Sequence, residues 1–240
     1  MIFDFFKKKS REEIVDYEID EGATFRKTSY SQCGEDLIIK HIFDTLQVYS
    51  FQYLDIGAHH PYYLSNTALF YSLGCRGANI EPDTVLFDNF KKSRAEDVNL
   101  NVGVGEVEGE LDFYVISVPT LNTFSKEEAE GYKKEGVYNI TRVDKVKVLT
   151  VERIVTQFFN NIFPEFLTID AEGVDELVLK SINYDENSPI IICVETISFS
   201  DSGRGIKNEA LISFLTNKGY LLYADTNINS IFVKKDKWER

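Results

Sequence analysis

Residues 51–61, FQYLDIGAHHP, decide the fold of this chain. The apolar run at residues 51–56 is typical of a buried parallel strand, and it leads into a turn at Gly57. Glycine permits a sharp turn and lets a ligand approach the backbone closely. Polar residues 65–67 then precede an apolar helical pattern that begins at Ala68. A strand, a glycine turn and a helix in this order predict an open α/β sheet with a ligand site near the turn.

The next strand pattern, residues 77–81, ends on Glu81. Parallel neighbouring strands would bring Asp55 and Glu81 to the same edge of the sheet, and a terminal carboxylate there suits the two hydroxyls of a ribose. The first loop has one glycine instead of three, and Asp55 would repel a pyrophosphate. It therefore favours S-adenosylmethionine, which carries a sulfonium and an ammonium, over a nicotinamide dinucleotide. A plain buried strand with a surface turn is the alternative.

The composition limits the classes of protein to consider. The chain has 240 residues, which suits one large α/β domain, and a formal net charge of −13 at pH 7, which disfavours a nucleic-acid partner. Its three cysteines lack metal-type spacing, and their odd number favours reduced thiols in the cytoplasm. We expect no transmembrane segment. Near the N-terminus the lysines follow the apolar residues, the reverse of a signal peptide. A weak interfacial anchor and a solvated terminus are the alternatives there.

We expect residues 1–29 to form an N-terminal extension with a short helix at 11–17, and residues 30–240 to form a single domain. An amphipathic helix follows the polar segment at residues 30–36, with Ser29 or Ser31 as its cap. This segment is interpreted as a simple helix start or, in addition, as a segment that folds over the cofactor pocket. The residues predicted to contact the cofactor there are Ser31, Gln32 and Glu35.

Two regions between the first strands and the middle of the chain are predicted to contact ligands. Residues 98–102 form a third strand, and Asn101 at its end should lie beside Glu81, where an adenine ring could sit. Residues 119–142 interrupt the strand patterns, and a loop this long is a candidate lid or acceptor-binding insertion; disorder is the alternative. Its predicted acceptor contacts are Asn122 and Thr123.

A second acidic stretch follows a buried strand that ends at Asp170. Glu172 lies two residues further on, so in an extended backbone the two carboxylates point the same way. They could serve as a base, as ligands for the cofactor's amine or as part of a metal site; decoration of a helix N-terminus is the alternative. A strand at residues 190–195 ends on Glu195. A divalent ion, if one is required, would be held by Asp170, Glu172 and Glu195.

These motifs together resemble the FkbM family of S-adenosylmethionine-dependent methyltransferases, over roughly residues 30–235. The motifs are SQCGED at 31–36, DIGA at 55–58, IEP at 80–82, IDAEG at 169–173, and the closing strands around 219–220 and 229–233. The resemblance implies a class I methyltransferase fold: a Rossmann-like, seven-stranded mixed sheet with its last strand antiparallel and helices on both faces. It also implies O-methylation, typically of sugar or polyketide hydroxyls.

The resemblance assigns the cofactor roles and the reacting centre by motif, and the positions of the residues themselves suggest the bases and the acceptor contact. Asp55, Gly57 and the adjoining Ala58 would line the methionine end of the cofactor, and Glu81 with Pro82 would hold the ribose. Asp170 and Glu172 would face the reacting centre, with Asp170 positioning the cofactor's amine or an ion. Glu172 is the predicted general base because it should reach further toward the acceptor. His60 is the alternative base, although it also suits a turn residue next to Pro61, and His59 is a predicted acceptor contact.

The leading hypothesis is an O-methyltransferase for a sugar hydroxyl in a cell-surface polysaccharide, capsule or lipopolysaccharide, or in its nucleotide-linked precursor. A nicotinamide-dependent nucleotide-sugar oxidoreductase is the first alternative. It is disfavoured because the chain lacks a three-glycine loop and a Tyr-x-x-x-Lys pair after the fourth strand. A non-catalytic cofactor-binding module is the second alternative, and the presence of both Asp170 and Glu172 speaks against it.

Overall fold

The computed structural model of this protein describes residues 22–134, 136–171, 174–198 and 205–240. The strands are β1 Gln52–Ile56, β2 Arg76–Ile80, β3 Val98–Leu100, β4 Gly103–Val104, β5 Gly109–Ile116, β6 Ile140–Leu149, β7 Phe166–Ile169, β8 Ile191–Glu195, β9 Tyr220–Asp225 and β10 Asn229–Lys234. The helices are α1 Glu35–Thr45, α2 Ala68–Ser72, α3 Thr84–Ser93, α4 Lys126–Lys134, α5 Val151–Phe158, α6 Asp175–Lys180, α7 Glu209–Asn217 and α8 Lys235–Trp238.

Seven strands form one mixed sheet in the order β3-β2-β1-β7-β8-β10-β9. The pairs from β3 to β8 are all parallel, whereas β10 is antiparallel to both of its neighbours. The strand order reverses beside β1, so a crevice opens between the carboxyl ends of β1 and β7. The predicted α/β sheet with an antiparallel last strand is confirmed.

Alternating side chains of the central strands enter two separate cores. Along β8, Ile192 and Val194 pack with α5, α6 and α7, whereas Ile191 and Cys193 pack with α1 and α2. Successive strand residues point to opposite faces of a sheet, so helices cover both faces of this one, as predicted. Within the described ranges, no helix is long and apolar enough to span a membrane.

A second sheet, in the order β4-β6-β5, stands beside the first and was not predicted. The expectation that the third strand continues to residue 102 is wrong, because β3 ends at Leu100. The Asn101 side-chain amide donates to the main-chain carbonyls of Glu81 and Pro82, at 2.9 Å each, which turns the chain out of the main sheet. The next residues then pair with β6 as β4.

The expectation that residues 119–142 form an irregular loop is also wrong. The segment, called the insertion below, holds a 3-10 turn at Pro119–Leu121, helix α4 and the first residues of β6. Helix α4 buries only Ala129 and Tyr132 among its described residues, too few apolar side chains to give a clear helical period. Its acids stand in the first turn and its lysines in the last, the distribution that a helix dipole favours.

The segment before α1 folds differently from the prediction. Gly34, in a left-handed conformation, precedes the helix, so neither Ser29 nor Ser31 is its N-cap. Both hydroxyls instead donate to one oxygen of the buried Asp36 carboxylate, at 2.6 and 2.9 Å. Residues 1–21 lie outside the described ranges, so the extension, its helix at 11–17 and the terminal anchor remain predictions.

Candidate cofactor-binding cleft

A cleft with an empty volume of about 1000 Å³, its open mouth included, lies at the carboxyl ends of the parallel strands. Small-molecule sites usually measure roughly 300–1,000 Å³. The predicted site residues that line it are Gln32, Asp55, Gly57, Ala58, His59, Glu81, Pro82, Asn122 and Asp170. The predicted site residues that do not line the cleft are Ser31, Glu35, His60, Asn101, Thr123 and Glu195. Glu172 lies outside the described residues.

Glu81 follows β2 and is buried at the base of the cleft, 4% exposed. One carboxylate oxygen accepts the backbone N–H of His59 and the other accepts that of Asp83, at 2.7 Å each. Burial raises the pKa of Glu81 to about 8, the charges of Asp83 and Asp55 add to this, and the two N–H donors oppose it. In the ionised form each oxygen retains a lone pair, so the carboxylate can then accept two neighbouring hydroxyls of a ligand.

Asp55 occupies the floor of the cleft beside the end of β7. Its carboxylate accepts the hydroxyl of Thr67 at 2.6 Å. Burial raises the pKa of Asp55 to about 6, while the Thr67 hydrogen bond and the charge of Arg94 hold it down. Asp55 is therefore largely ionised at neutral pH, where it can pair with a cationic ligand.

Asp170 follows β7, and its side chain is exposed to the open cleft. The protein packed around it desolvates the carboxylate, and the charges of Asp175 and Asp55 repel it, so its pKa is raised. Water in the cleft screens part of this effect, whereas the repulsion between neighbouring carboxylates remains. A ligand cation placed between Asp55 and Asp170 would relieve that repulsion.

Gly57 brings the ends of β1 and β7 together. Its φ of +77° is left-handed, and a Cβ there would lie 1.8 Å from the backbone oxygen of Asp170. The N–H groups of Gly57 and Ala58 donate to the Ile80 carbonyl at 3.1 and 3.0 Å. A residue with a side chain would separate these strand ends, so glycine is required here for both its conformation and its size.

The walls of the cleft combine acids with an apolar surface. Among the described lining residues none is Lys or Arg, whereas three are acids. The apolar wall contains Pro82, Leu86, Val102, Val104, Phe113 and Phe124. Such a surface suits a flat heteroaromatic ring, and the acidic floor suits positive charge.

The insertion is fastened to the loop that follows β2. One oxygen of the buried Asp83 accepts from the Arg142 guanidinium at 2.8 Å and from the Asn122 amide at 3.4 Å. Its other oxygen accepts the Val85 N–H at 2.7 Å and so caps α3. Asn122 thereby lines the cleft, whereas the Thr123 hydroxyl turns away and donates to Glu128 at 2.7 Å.

The family model for the Methyltransferase FkbM domain matches residues 55–222. This chain belongs to the FkbM methyltransferase family. The match covers the Asp55, Glu81 and Asp170 motifs, whereas Ser31, Gln32 and Glu35 lie outside it.

Two solved structures are similar to this FkbM-family chain. One is the methyltransferase FkbM from Methylobacillus flagellatus KT, at 15% identity and a TM-score of 0.45, covering 77% of this chain and 43% of that one. This chain therefore spans less than half the length of that relative. The other is precorrin-6y C5,15-methyltransferase from Geobacter metallireducens GS-15, at 11% identity and a TM-score of 0.37, covering 82% and 86%. A search of curated proteins finds no match.

Two of the residues predicted for the cofactor in this FkbM-family chain support the cleft from outside. Burial favours a higher pKa for Glu35, but hydrogen bonds outweigh it and lower that pKa. One of its oxygens accepts from Thr226 at 2.8 Å and from the Asn229 amide at 3.0 Å, and the other accepts the Cys33 N–H at 2.7 Å. Asn101, as described above, holds the backbone on either side of Pro82.

The two histidines of the first loop are placed differently from each other. The Nδ1 atom of His60 accepts the backbone N–H groups of Tyr62 and Tyr63, at 3.1 and 2.9 Å, so its lone pair is occupied in a turn. This geometry disfavours His60 as a base. His59 lines the cleft with a left-handed φ of 54°, and burial and the neighbouring His60 lower its pKa. Its imidazole is therefore neutral at pH 7 and can accept a proton.

The metal prediction depends on a residue that the structure does not describe. Across the described ranges, no group of three or more His, Cys, Asp or Glu side chains is gathered to hold an ion. Glu195 is half-buried, and burial together with the charges of Asp170 and Asp175 raises its pKa. Because Glu172 belongs to the predicted ligand set, a metal site stays a prediction.

Sequence reasoning missed Asn66 as a site residue. Its amide donates to the Thr168 hydroxyl at 3.0 Å, and its Oδ1 is buried with no hydrogen-bond partner in the described structure. Asn66 lines the cleft, and its bond to Thr168 ties the loop after β1 to β7. The Ser-Asn-Thr run before α2 indicates only a helix start, because these residue types also favour caps.

Proposed function

We propose that this chain is an S-adenosylmethionine-dependent O-methyltransferase. We further propose that it methylates a sugar hydroxyl of a capsule or lipopolysaccharide, or of a nucleotide-linked precursor. One observation carries the cofactor assignment: the cleft is lined by Asp55, Glu81 and Asp170, and its described lining contains no Lys or Arg. Asp55, largely ionised at neutral pH, would repel a dinucleotide pyrophosphate and attract a sulfonium and an ammonium.

The residues present fit that cofactor. Glu81 would accept the ribose hydroxyls, and the apolar wall from Pro82 to Phe124 would hold the adenine. Asp55 and Asp170 would face the ammonium end. When bound, the cofactor supplies a methyl group already activated by the positive charge on sulfur.

We propose Glu172 as the general base and Asp170 as the residue that positions the cofactor's amine or a bound ion. O-methylation requires an aligned acceptor oxygen and the removal of its proton as the new bond forms. A base positioned for this step contributes about 10²–10⁴-fold to the rate. The occupied Nδ1 of His60 supports Glu172 over His60 in this role.

The insertion supports the assignment of an acceptor site. Pro119, Thr120 and Asn122 line the cleft beside the residues assigned to the cofactor. Thr120 and Asn122 offer polar side chains to the cleft, and a hydroxyl-rich sugar ring needs such partners. The sugar class itself rests on the FkbM resemblance. The free thiols of Cys33, Cys75 and Cys193 support a reducing, cytoplasmic setting.

Transfer of a labelled methyl group tests the proposal directly. The protein is incubated with methyl-labelled S-adenosylmethionine and with nucleotide sugars or unmethylated capsule and lipopolysaccharide fractions. We expect label on a sugar hydroxyl, identified by mass spectrometry after hydrolysis. The label should disappear in Asp55→Ala and persist in Glu152→Ala, a change at an exposed position on α5. Label on a nitrogen or carbon atom of the acceptor would contradict O-methylation.

A further inference from the structure

Arg94 is fully buried behind the cleft and does not line it. Its guanidinium lies 5.4, 5.1 and 5.5 Å from the ring centroids of Tyr53, Tyr71 and Phe90. A buried cation surrounded by three ring faces is held in one orientation, and cation–π attraction contributes to this. The position of Arg94 is therefore set before any ligand binds.

Each nitrogen of the Arg94 guanidinium has a hydrogen-bond acceptor. Nε donates to Asp97 at 3.0 Å and Nη2 donates to the Tyr53 hydroxyl at 2.8 Å, while Nη2 also lies 2.9 Å from the Asp97 carboxylate as an ion pair. Nη1 donates to the Thr67 hydroxyl at 2.9 Å and to the Pro61 carbonyl at 3.5 Å. The planar guanidinium provides these directions at once, which a lysine ammonium cannot do. Arg94 thus joins β1 and the end of α3 to the middle and the last residue of the loop between β1 and α2.

The contact with Thr67 has a defined direction. Because Nη1 of Arg94 donates to Oγ1 of Thr67, the single hydroxyl proton is directed elsewhere. It is donated to Oδ2 of Asp55 at 2.6 Å. Hydrogen bonds in such a chain strengthen one another in a low-dielectric interior. A buried cation outside the cleft therefore acts on a carboxylate inside it through one hydroxyl.

We propose that Arg94 is a positioning residue for the ligand site: through Thr67 it orients Asp55 and keeps it ionised, and through Pro61 it fixes the loop after β1. The binding part of this inference rests on the proposed function. The charged or titratable groups that face Asp55 from the surrounding elements are Arg94 and Asp97 after α3, Glu81 after β2, Asp170 after β7 and Cys193 in β8. Arg94 is the cation of this set, so its link to Asp55 opposes the acids.

Variants of Thr67 test the link while leaving Arg94 and its pairing with Asp97 in place. Thr67→Val keeps the side-chain shape and deletes the hydroxyl, and Thr67→Ser keeps the hydroxyl. Thr67→Ala is a second deletion that adds no bulk, for use if the valine variant does not fold. Thr45→Val makes the same change at an exposed position, where the hydroxyl donates to the His41 carbonyl.

Two readouts separate positioning from general stability. Calorimetry with S-adenosylmethionine and S-adenosylhomocysteine, from about pH 5 to about pH 8.5, gives the affinity and its pH dependence. A carbon-13 NMR titration of the aspartate carboxyl groups, with Asp55→Asn to assign the signal, follows the ionisation of Asp55 without any ligand. Deleting a donor to the charged form raises the pH at which a carboxylate becomes protonated.

We expect Thr67→Val to weaken binding about tenfold near neutral pH and to move the Asp55 titration to higher pH. Thr67→Ser and Thr45→Val should stay within about threefold of the unchanged protein. Unaltered Asp55 titration in Thr67→Val would overturn the inference, whatever happens to affinity. If the unchanged protein binds neither compound, the proposed function fails, and the NMR titration still decides whether Thr67 controls Asp55.

Discussion

Replacing Glu81 with glutamine should make the fold more tolerant of high pH while weakening the cofactor site. Burial raises the pKa of Glu81 from its ordinary value of 4.5 to about 8 in the folded protein. Between these values the unfolded chain has an ionised Glu81 and the folded one a protonated Glu81. The contribution of Glu81 to the free energy of unfolding is therefore fully present below pH 4.5 and is lost as the pH rises through about 8.

The magnitude follows from the same values. One pH unit corresponds to about 1.36 kcal/mol per proton, which sets an upper limit of about 5 kcal/mol for the loss in free energy of unfolding. About 3 kcal/mol of this loss falls between about pH 5.5 and about pH 8.5, and relaxation of the buried site reduces it, so we expect about 2–3 kcal/mol there. Glutamine does not ionise, so the free energy of unfolding of Glu81→Gln lacks this pH-dependent loss.

Urea unfolding at about pH 5.5 and about pH 8.5 measures the effect. The glutamine amide must face one of the two backbone N–H donors, which costs about 1–3 kcal/mol at either pH and cancels in the comparison. From the lower to the higher pH, the free energy of unfolding of the unchanged protein should fall by about 2–3 kcal/mol more than that of Glu81→Gln. Glu152→Gln, at an exposed position, is the control. A gain that does not depend on pH would refute the argument from burial.

The same variant also tests the site. At about pH 8.5, where Glu81 is mostly ionised, losing a charged hydrogen-bond acceptor should cost about 1.5–3 kcal/mol of affinity for S-adenosylhomocysteine, roughly tenfold or more. An unchanged dissociation constant would remove Glu81 from the cofactor site, even if the stability measurement succeeds.

Three further substitutions test other parts of the account. Glu172→Gln should keep S-adenosylhomocysteine binding in calorimetry but lower methyl transfer by about 10²–10⁴-fold, and near-normal turnover would exclude Glu172 as the base. Gly57→Ala places a Cβ 1.8 Å from a backbone oxygen, so the free energy of unfolding, measured by heat or urea, should fall by more than about 2 kcal/mol. Gly109→Ala is the control, because a Cβ there meets no atom within 4 Å, and it should change that free energy by less than about 0.5 kcal/mol. Arg142→Ala removes the ion pair with Asp83, so amide hydrogen exchange in the insertion should become faster. The affinity for S-adenosylhomocysteine should stay within about threefold. Unchanged exchange would mean that other contacts hold the insertion.

Much of the fold was predictable from the sequence because its signals are local. The apolar run before Gly57, the terminal acid at Glu81 and the strand that ends before Asp170 each mark a strand end within a few residues. Their juxtaposition then follows from the parallel order of the strands.

The remaining features depend on contacts between distant residues. Arg94 reaches Thr67 and Tyr53, 27 and 41 residues away, and no spacing pattern in the sequence records such a pairing. The different placement of His59 and His60 follows from a left-handed backbone at His59 and a hydrogen-bonded turn after His60. Both histidines look alike in the sequence, so the structure was needed to tell them apart.

Calorimetric titration of the unchanged protein, with S-adenosylhomocysteine and separately with NAD, tests the central claim most directly. Asp55, which is largely ionised at neutral pH, and a described lining without Lys or Arg predict binding of S-adenosylhomocysteine and no binding of NAD, whose pyrophosphate would face that carboxylate. Binding of NAD without binding of S-adenosylhomocysteine would contradict the account and would favour an oxidoreductase.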